Sequence, residues 1–295
     1  MSATVIVVGS ANVDLVMRVP RLPAPGETML GGTFSRAPGG KGANQAAAAA
    51  TLGARTWFVG KVGRDDLGAW TRSDLEATRV DCSALGTSDS PTGVAQIWVD
   101  DAGENAITVA SGANADVDAA FVTEGLRAID VDRAVVLANL EIPDDAVAAA
   151  AEAATERGWP FVLNPAPARP IERAVFAKVT LLTPNRSEAT ALAPSIGTLL
   201  DDGVDTVVVT LGGDGAEVHR AGRDVHRQAA FRVEARDTTG AGDAFSATLA
   251  WAIADGRDLG EAVRLAAGAG ALATRAIGAR ASLATRDELE HFVTG

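Results

Sequence analysis

The sequence predicts a doubly wound α/β fold, a mainly parallel sheet with helices on both faces and a small accessory β-sheet. Two observations carry this. Short β-branched runs alternate with Ala-rich helical stretches along the chain, the pattern of a parallel sheet buried on both sides. Two hairpin-like segments, around Val16–Thr33 and Thr92–Ala110, interrupt that alternation and suit a separate small sheet. Ligands of such sheets sit beyond the strand carboxyl ends, so the small sheet is expected to form a lid, covering about residues 14–37 and 91–111. No linker, repeat or low-complexity tail divides the 295 residues, and one α/β domain over residues 1–295 is expected.

The elements follow in order. Val5–Gly9 reads as a buried strand and Asn44–Leu52 as a helix. Thr56–Val59 is a strand and Asp65–Thr78 a helix. Thr92–Val99 and Asn105–Ala110 flank the turn-like Asp101-Ala-Gly-Glu and form a hairpin. Arg133–Ala138 and Phe161–Asn164 are strands around the helix Asp144–Arg157. Ile171–Ala177 is a helix or turn, and Thr180–Thr183 and Thr206–Thr210 are strands. Glu217–His219 and Phe231–Glu234 read as short antiparallel strands. Helices Ala241–Asp255, Leu259–Ala276 and Asp287–Phe292 close the chain.

Composition narrows the function. Apolar residues make up 47%, enough for a large core, and the net charge is −12. An acidic chain lacks the basic face that nucleic acid requires. The start, MSATVIVVGSANVD, has no basic region or cleavage site and reads as a first strand. No apolar run is long enough to span a bilayer, so a soluble cytoplasmic protein is expected. Cys82, the one cysteine, excludes an internal disulfide and reads as structural. His219, His226 and His291 fall in no motif, which argues against histidine acid–base chemistry and against a protein-ligated zinc.

Five clusters can carry chemistry. The strongest is Asp237-Thr-Thr-Gly-Ala-Gly-Asp243, a tight turn running straight into a helix. Free N–H groups of Gly240, Ala241 and Gly242 at a helix N-terminus favour anions. Asp243 there is placed to take a proton from an attacking hydroxyl, or, alternatively, simply caps the helix. Gly39-Gly-Lys-Gly-Ala-Asn44 is glycine-rich without the Walker A spacing; Asn44 can bond ligand hydroxyls. Asn12 and Asp14 after the first strand offer an amide and a carboxylate to a polyol, or form an Asx-turn. Glu141 also follows a strand end. Asn185 and Glu188 open a helix and suit a hydrated Mg²⁺ or a capping box. Thr210-Leu211-Gly212-Gly213-Asp214-Gly215 is a Gly-rich bend able to pass under nucleotide phosphates, or a plain turn.

Taken together and in this order, these motifs resemble the ribokinase family of PfkB-type carbohydrate kinases, over nearly the whole chain. Gly39–Asn44 is similar to that family's first signature, Asp237–Asp243 to its second, and Asn185–Glu188 to its N-x-x-E pattern. Asn164-Pro-Ala-Pro-Ala-Arg169 and the segments Gly103-Glu-Asn and Gly112-Ala-Asn114 resemble the ribokinase branch. The resemblance implies an ATP-dependent kinase acting on a primary hydroxyl, with ribose as the first substrate and deoxyribose, fructose or a nucleoside as alternatives. A catalytically silent sugar binder on the same fold is the reading from another class. It implies Asp243 as catalytic base and Gly240–Gly242 as anion hole. It assigns the sugar to Asn12, Asp14, Gly40, Lys41, Asn44 and Glu141, with Ala95, Ile97 and Val109 against its apolar face. ATP falls to Asn185, Thr210–Gly215 and Gly242, and Mg²⁺ to Glu188 through water. K⁺ falls to Asp237, Thr239, Ala273, Ala276, Gly278 and Ser282. A homodimer through the lid is also implied. Arg186, Ala267 and Ala281 depart from the residues common in that family, and residues 189–205 look as if a helix were trimmed.

Overall fold

The computed structural model describes residues 3–295. β1 (Thr4–Val8) is buried throughout. β2 (Asn12–Arg18) and β3 (Thr33–Gly39) pair antiparallel, and α1 (Lys41–Thr51) then leads to β4 (Arg55–Gly63), parallel to β1. α2 (Asp66–Ala77), β5 (Val80–Asp81) and β6 (Leu85–Ser88) complete that side. β7 (Gly93–Val99) and β8 (Asn105–Ala110) form the second antiparallel pair. The alternation resumes with α3 (Ala119–Ala128), β9 (Val135–Asn139), α4 (Asp144–Glu156), β10 (Phe161–Asn164), α5 (Arg173–Phe176) and β11 (Leu181–Leu182). It continues through α6 (Arg186–Leu192), α7 (Ile196–Asp201) and β12 (Thr206–Thr210). β13 (Ala216–His219) and β14 (His226–Gln228) are antiparallel, and α8 (Ala241–Ala254), α9 (Leu259–Ala273) and α10 (Arg286–Thr294) finish the chain.

The main sheet runs β14-β13-β12-β11-β10-β9-β1-β4-β5, with β6 paired to β4. The small sheet runs β3-β2-β7-β8. Side-chain alternation along β1 explains its unbroken apolar run. Val5 and Val7 enter a core shared with α1, α8 and α9, while Ile6 and Val8 enter one shared with α3 and α4. Each such side chain contributes about 1.5–3 kcal/mol on burial. α1 packs on α8, and its run of buried alanines, with their small side chains, allows close approach. Cys82 is buried, and burial pushes its thiol up to about 11, the state of an inert structural cysteine.

Several elements differ from expectation. The first hairpin is wider than Val16–Thr33, because its strands are Asn12–Arg18 and Thr33–Gly39. Asn12 and Asp14 therefore stand on a strand, not in a turn: β2 is held on both edges, by β3 and in parallel by β7. α1 starts at Lys41, three residues before the expected Asn44, because Gly40, at φ +83°, serves as its N-cap. The strand expected at Phe231–Glu234 lies at His226–Gln228. β13 is only four residues long, and its first residue, Ala216, already faces Gln228. Phe231 packs instead on Phe292 at 5.4 Å between ring centroids. α3 and β6 fall where no element was expected, and the short stretch 189–205 holds two brief helices split around Pro194.

Candidate active site

The site gathers where β1, β9 and β10 end beneath the small sheet. Ser10 Oγ donates to Glu141 Oε2 at 2.5 Å, and the Lys41 backbone N–H donates to the same oxygen at 3.0 Å. Glu141 thus sits at the positive end of α1. That packing demands Gly42, since a Cβ there would lie 2.7 Å from the Ser10 nitrogen. Arg169 grips the carbonyls of Leu140 and Ile142 on either side of Glu141 and pairs with Asp144. Asn12 is buried, and its Oδ1 accepts from Asn114 Nδ2 at 2.7 Å. Asn114 is itself fixed by the backbone of Ala11.

The register of the small sheet aligns Asp14 with Ala95, and Ala95 with Val109, so these three share one row. Ile97 lies two residues along on the same face, beside Val16 and Ile107, whereas Trp98 points to the other face. Val109 lines a cavity of about 550 Å³ with Asn12, Asn114, Glu141 and Arg169. Among the described residues no hydrogen bond reaches the Asp14 carboxylate. Burial, then the charge of Glu141, pushes its pKa up to about 6; Arg280 opposes this and Asp243 adds to it.

Asp243 lies in the first turn of α8, 5% exposed. Its carboxylate accepts from Asn44 Nδ2 at 3.1 Å and from Gln45 Nε2 at 3.2 Å. Gln45 also donates to Asn164 Oδ1 and faces Asn139, so the tips of β9 and β10 brace the Asp243 carboxylate through one amide. Burial pushes the Asp243 carboxyl up, while Lys41 and the two amides pull it back. Reciprocally, the Asp243 charge raises the pKa of the Lys41 ammonium against its own desolvation. Gly240 caps α8 at φ +78°, and a Cβ on it would meet the Ala279 backbone at 2.7 Å. The N–H groups of Gly242 and Asp243 stand in the first turn, where a helix supplies no acceptor, whereas that of Ala241 is bonded to the Thr238 carbonyl.

Beyond Gly242 opens a cavity of about 810 Å³. Thr210, Gly212, Gly213, Asp214 and Gly215 form one wall, Ala241, Gly242 and Phe245 another, and Ala267, Gly270 and Thr274 a third. Its size and its floor at a helix N-terminus fit a nucleotide with its phosphates toward Asp243. Leu211 and Asn185 line an adjoining recess of about 720 Å³ together with Arg186, sharing Thr210 and Gly212 with the larger cavity. Asn185 and Glu188 form a complete capping box on α6. Burial raises the Glu188 carboxyl, offset by the Asn185 N–H and by Lys41. Among the described residues no three His, Cys, Asp or Glu side chains cluster as a metal cage. One carboxylate with its remaining oxygen free suits a Mg²⁺ that keeps its waters and the nucleotide's phosphates.

Of the six residues expected around a monovalent cation, three are joined. Asp237 accepts from Thr239 N and Oγ1 at 2.9 and 2.7 Å and from Gly278 N at 2.8 Å. Burial would raise its carboxyl, but these bonds outweigh burial and hold it below its ordinary range. Ala273 ends α9 and Ala276 follows it. Ser282 instead lines a separate cavity of about 950 Å³ with Arg232, Arg236, Arg275 and His291.

The structure brings Asn12, Asp14, Gly40, Lys41, Asn44, Glu141 and Asp243 into one cluster. Sequence reasoning missed Ser10, Gln45 and Arg280, and it singled out Asn114 and Asn164 only by resemblance, without a place in the site. Gln45 carried a signal, as a polar residue inside an Ala-rich helix next to Asn44. Arg280 carried none: its Nε donates to Asn44 Oδ1 at 2.8 Å across 236 residues of sequence.

Known proteins agree with this architecture. The family model described as pfkB family carbohydrate kinase matches residues 2–286. The ribokinase of Bacillus subtilis is 38% identical over 98% of this chain and 99% of its own length. That of Haemophilus influenzae is 35% identical over 99% of each. Among solved structures, Arabidopsis thaliana ribokinase complexed with ribose and ATP superposes with a TM-score of 0.90 at 30% identity, covering 100% of both chains. Thermotoga maritima ribokinase gives 0.90 at 31% identity over 99% of this chain and 100% of its own. With that family model spanning nearly its whole length, this chain belongs to the pfkB family of carbohydrate kinases.

Proposed function

We propose that this enzyme transfers the γ-phosphoryl group of ATP to the primary hydroxyl of D-ribose, giving ribose 5-phosphate and ADP. One observation carries the reading: a buried carboxylate, Asp243, stands at a helix N-terminus with sugar-type amides on one side and a nucleotide-sized cavity on the other. Asp14, Asn12, Asn44, Lys41 and Glu141 supply donors and acceptors for the ribose hydroxyls, with the Gly40 backbone alongside. Ala95, Ile97 and Val109 cover its carbon face. Asp243 takes the hydroxyl proton as the oxygen attacks the γ-phosphorus and the bond to the ADP oxygen breaks. The Gly240–Gly242 turn holds the charge that develops on the transferring group, without moving to do so.

ATP occupies the Thr210–Gly215 and Gly242 cavity, with Asn185 beside it. Glu188 would hold Mg²⁺ through water, and the ion would supply neutralisation of phosphate charge there. Asp237 and Thr239, with the carbonyls of Ala273, Ala276 and Gly278, would hold a K⁺ that orders the anion turn, while Ser282, in its separate cavity, stands apart from them; the carboxylate of Asp237, fixed by three donors, supports that choice. The chain works as one α/β domain with residues 14–37 and 91–111 as its lid. β8 is exposed along its length, and Phe34, Ile107 and Val109 are 62, 55 and 51% exposed, which supports dimerisation through the lid. No helix among the described residues is long and apolar enough to cross a membrane. The cytoplasm, which supplies ATP, is the compartment this reading assigns.

The test is an ADP-release screen with MgATP over pentoses, hexoses and nucleosides, run in K⁺ and in Na⁺. Ribose gives the highest kcat/KM, and K⁺ exceeds Na⁺. Preference for a nucleoside or a hexose overturns the substrate, and no sugar-dependent release overturns the kinase.

A further inference from the structure

We propose that Arg280 is a positioning residue for the phosphoryl transfer, setting the orientation of the Asn44 amide and through it the aim of the Asp243 carboxylate. The inference rests on the kinase reading above, and its argument begins with the polarity of one hydrogen-bonded chain. Arg280 pairs with Asp74 of α2 through Nη1. Its Nε donates to Asn44 Oδ1 at 2.8 Å, and Asn44 Nδ2 donates to Asp243 Oδ2 at 3.1 Å. A guanidinium has only donors and an ionised carboxylate only acceptors. The amide between them has one orientation that satisfies both. Flipped, it sets N–H against N–H and oxygen against oxygen, and both bonds are lost. Without Arg280, Asn44 is free to turn.

A second observation places Arg280 on the same device as the anion turn. Three consecutive residues contact the site in sequence. Gly278 N–H donates to Asp237 at the head of the turn, and Ala279 abuts Gly240 at its cap. Arg280 then reaches Asn44. The turn that faces phosphate and the amide that faces sugar are therefore held by one tripeptide. The Arg280 side chain is 10% exposed, and Nη2 is buried with no partner among the described residues. Burying an unpartnered donor is costly, so the arginine is kept in place by its two bonded nitrogens rather than by good solvation. Desolvation lowers its pKa, opposed by the charges of Asp74, Asp14 and Asp243.

Two variants separate positioning from simple stability. Arg280→Met removes all donors; Arg280→Lys keeps a cation for Asp74 but has no Nε. Both are expected to lower kcat by on the order of 10- to 100-fold with little change in the KM for ATP. The lysine variant does so while melting close to the parent enzyme. In an Asn44→Ala background, Arg280→Lys adds less than about twofold, because the residue it acts through is already gone. Independently of turnover, the Asn44 side-chain amide signals, assigned by their loss in Asn44→Ala, resist solvent exchange in the parent protein and lose that protection in Arg280→Lys. Arg280→Lys with parental kcat, full additivity with Asn44→Ala, or an unchanged amide signal overturns the assignment. A parent protein that releases no ADP with any sugar overturns the functional reading instead, and the amide spectra then decide the role of Arg280 alone.

Discussion

Replacing Asp14 by Asn should make the protein more stable and a poorer kinase. The Asp14 carboxylate is partly buried, accepts no hydrogen bond, and faces two further acids, Glu141 and Asp243, against one cation, Arg280. Its pKa rises from 3.8 to about 6, so the folded protein binds that proton more tightly than the unfolded chain does. Stability therefore falls as pH climbs through this window, and the full cost stands above about pH 7. At 1.36 kcal/mol per tenfold in proton affinity the ceiling is about 3 kcal/mol. Solvent screening at a partly exposed group reduces this to about 1–2 kcal/mol. For a chain of this size that is roughly 2–3 °C in Tm. Melting curves of parent and Asp14→Asn taken from below the unfolded carboxyl's 3.8 up to pH 8 should coincide only at that acid end and diverge as pH rises, with the variant higher. Calorimetric titration with ribose should show affinity reduced about 10- to 100-fold, from the loss of charge-assisted bonds to hydroxyls. In the parent, sugar affinity should fall as pH drops through about 6. An Asp14→Asn variant that is less stable than the parent at pH 8, or a gain independent of pH, would refute the reasoning.

Asp243→Asn should keep ribose binding and lower kcat by about 10²- to 10⁴-fold, read by isothermal titration beside single-turnover transfer. Glu188→Gln separates two roles of one residue: glutamine still completes the capping box, so stability should hold within about 0.5 kcal/mol, while the Mg²⁺ needed for half-maximal rate rises about tenfold. Gly240→Ala forces a Cβ to 2.7 Å from Ala279 at φ +78°. It should cost about 1–3 kcal/mol in denaturant unfolding and lower kcat with it.

The parallel core was legible because β1, β9 and β12 are buried on both faces and read as unbroken apolar runs. The lid strands were placed less well. β2 owes its start at Asn12 to pairing with β7, some eighty residues away, which local patterning does not encode. The Phe231–Glu234 strand failed for a similar reason, since its partner strand had already ended. In the site, loops with glycines and acids announced themselves, and Asp243, Asn44 and Glu141 do converge. The braces between them did not. Ser10, Asn114 and Arg280 act across 131, 103 and 236 residues, distances at which only folding reveals a neighbour. Asn185 and Glu188 show the opposite case. The structural alternative, a capping box, is present, and it leaves one Glu188 oxygen free.

The four strands of the small sheet begin or end together at Asn12, Gly39, Gly93 and Ala110, so a lid of the proposed kind would pivot beside the groups proposed for ribose. A seven-residue strand reaches about 23 Å from such a fulcrum. One extra ångström of bulk at the pivot becomes several at the far end. With such a lid an oversized acceptor need not collide with any wall to be rejected: by propping the flap ajar it would admit water and spoil alignment at the phosphorus. Discrimination by leverage of this kind would appear as analogues that bind well yet turn over slowly.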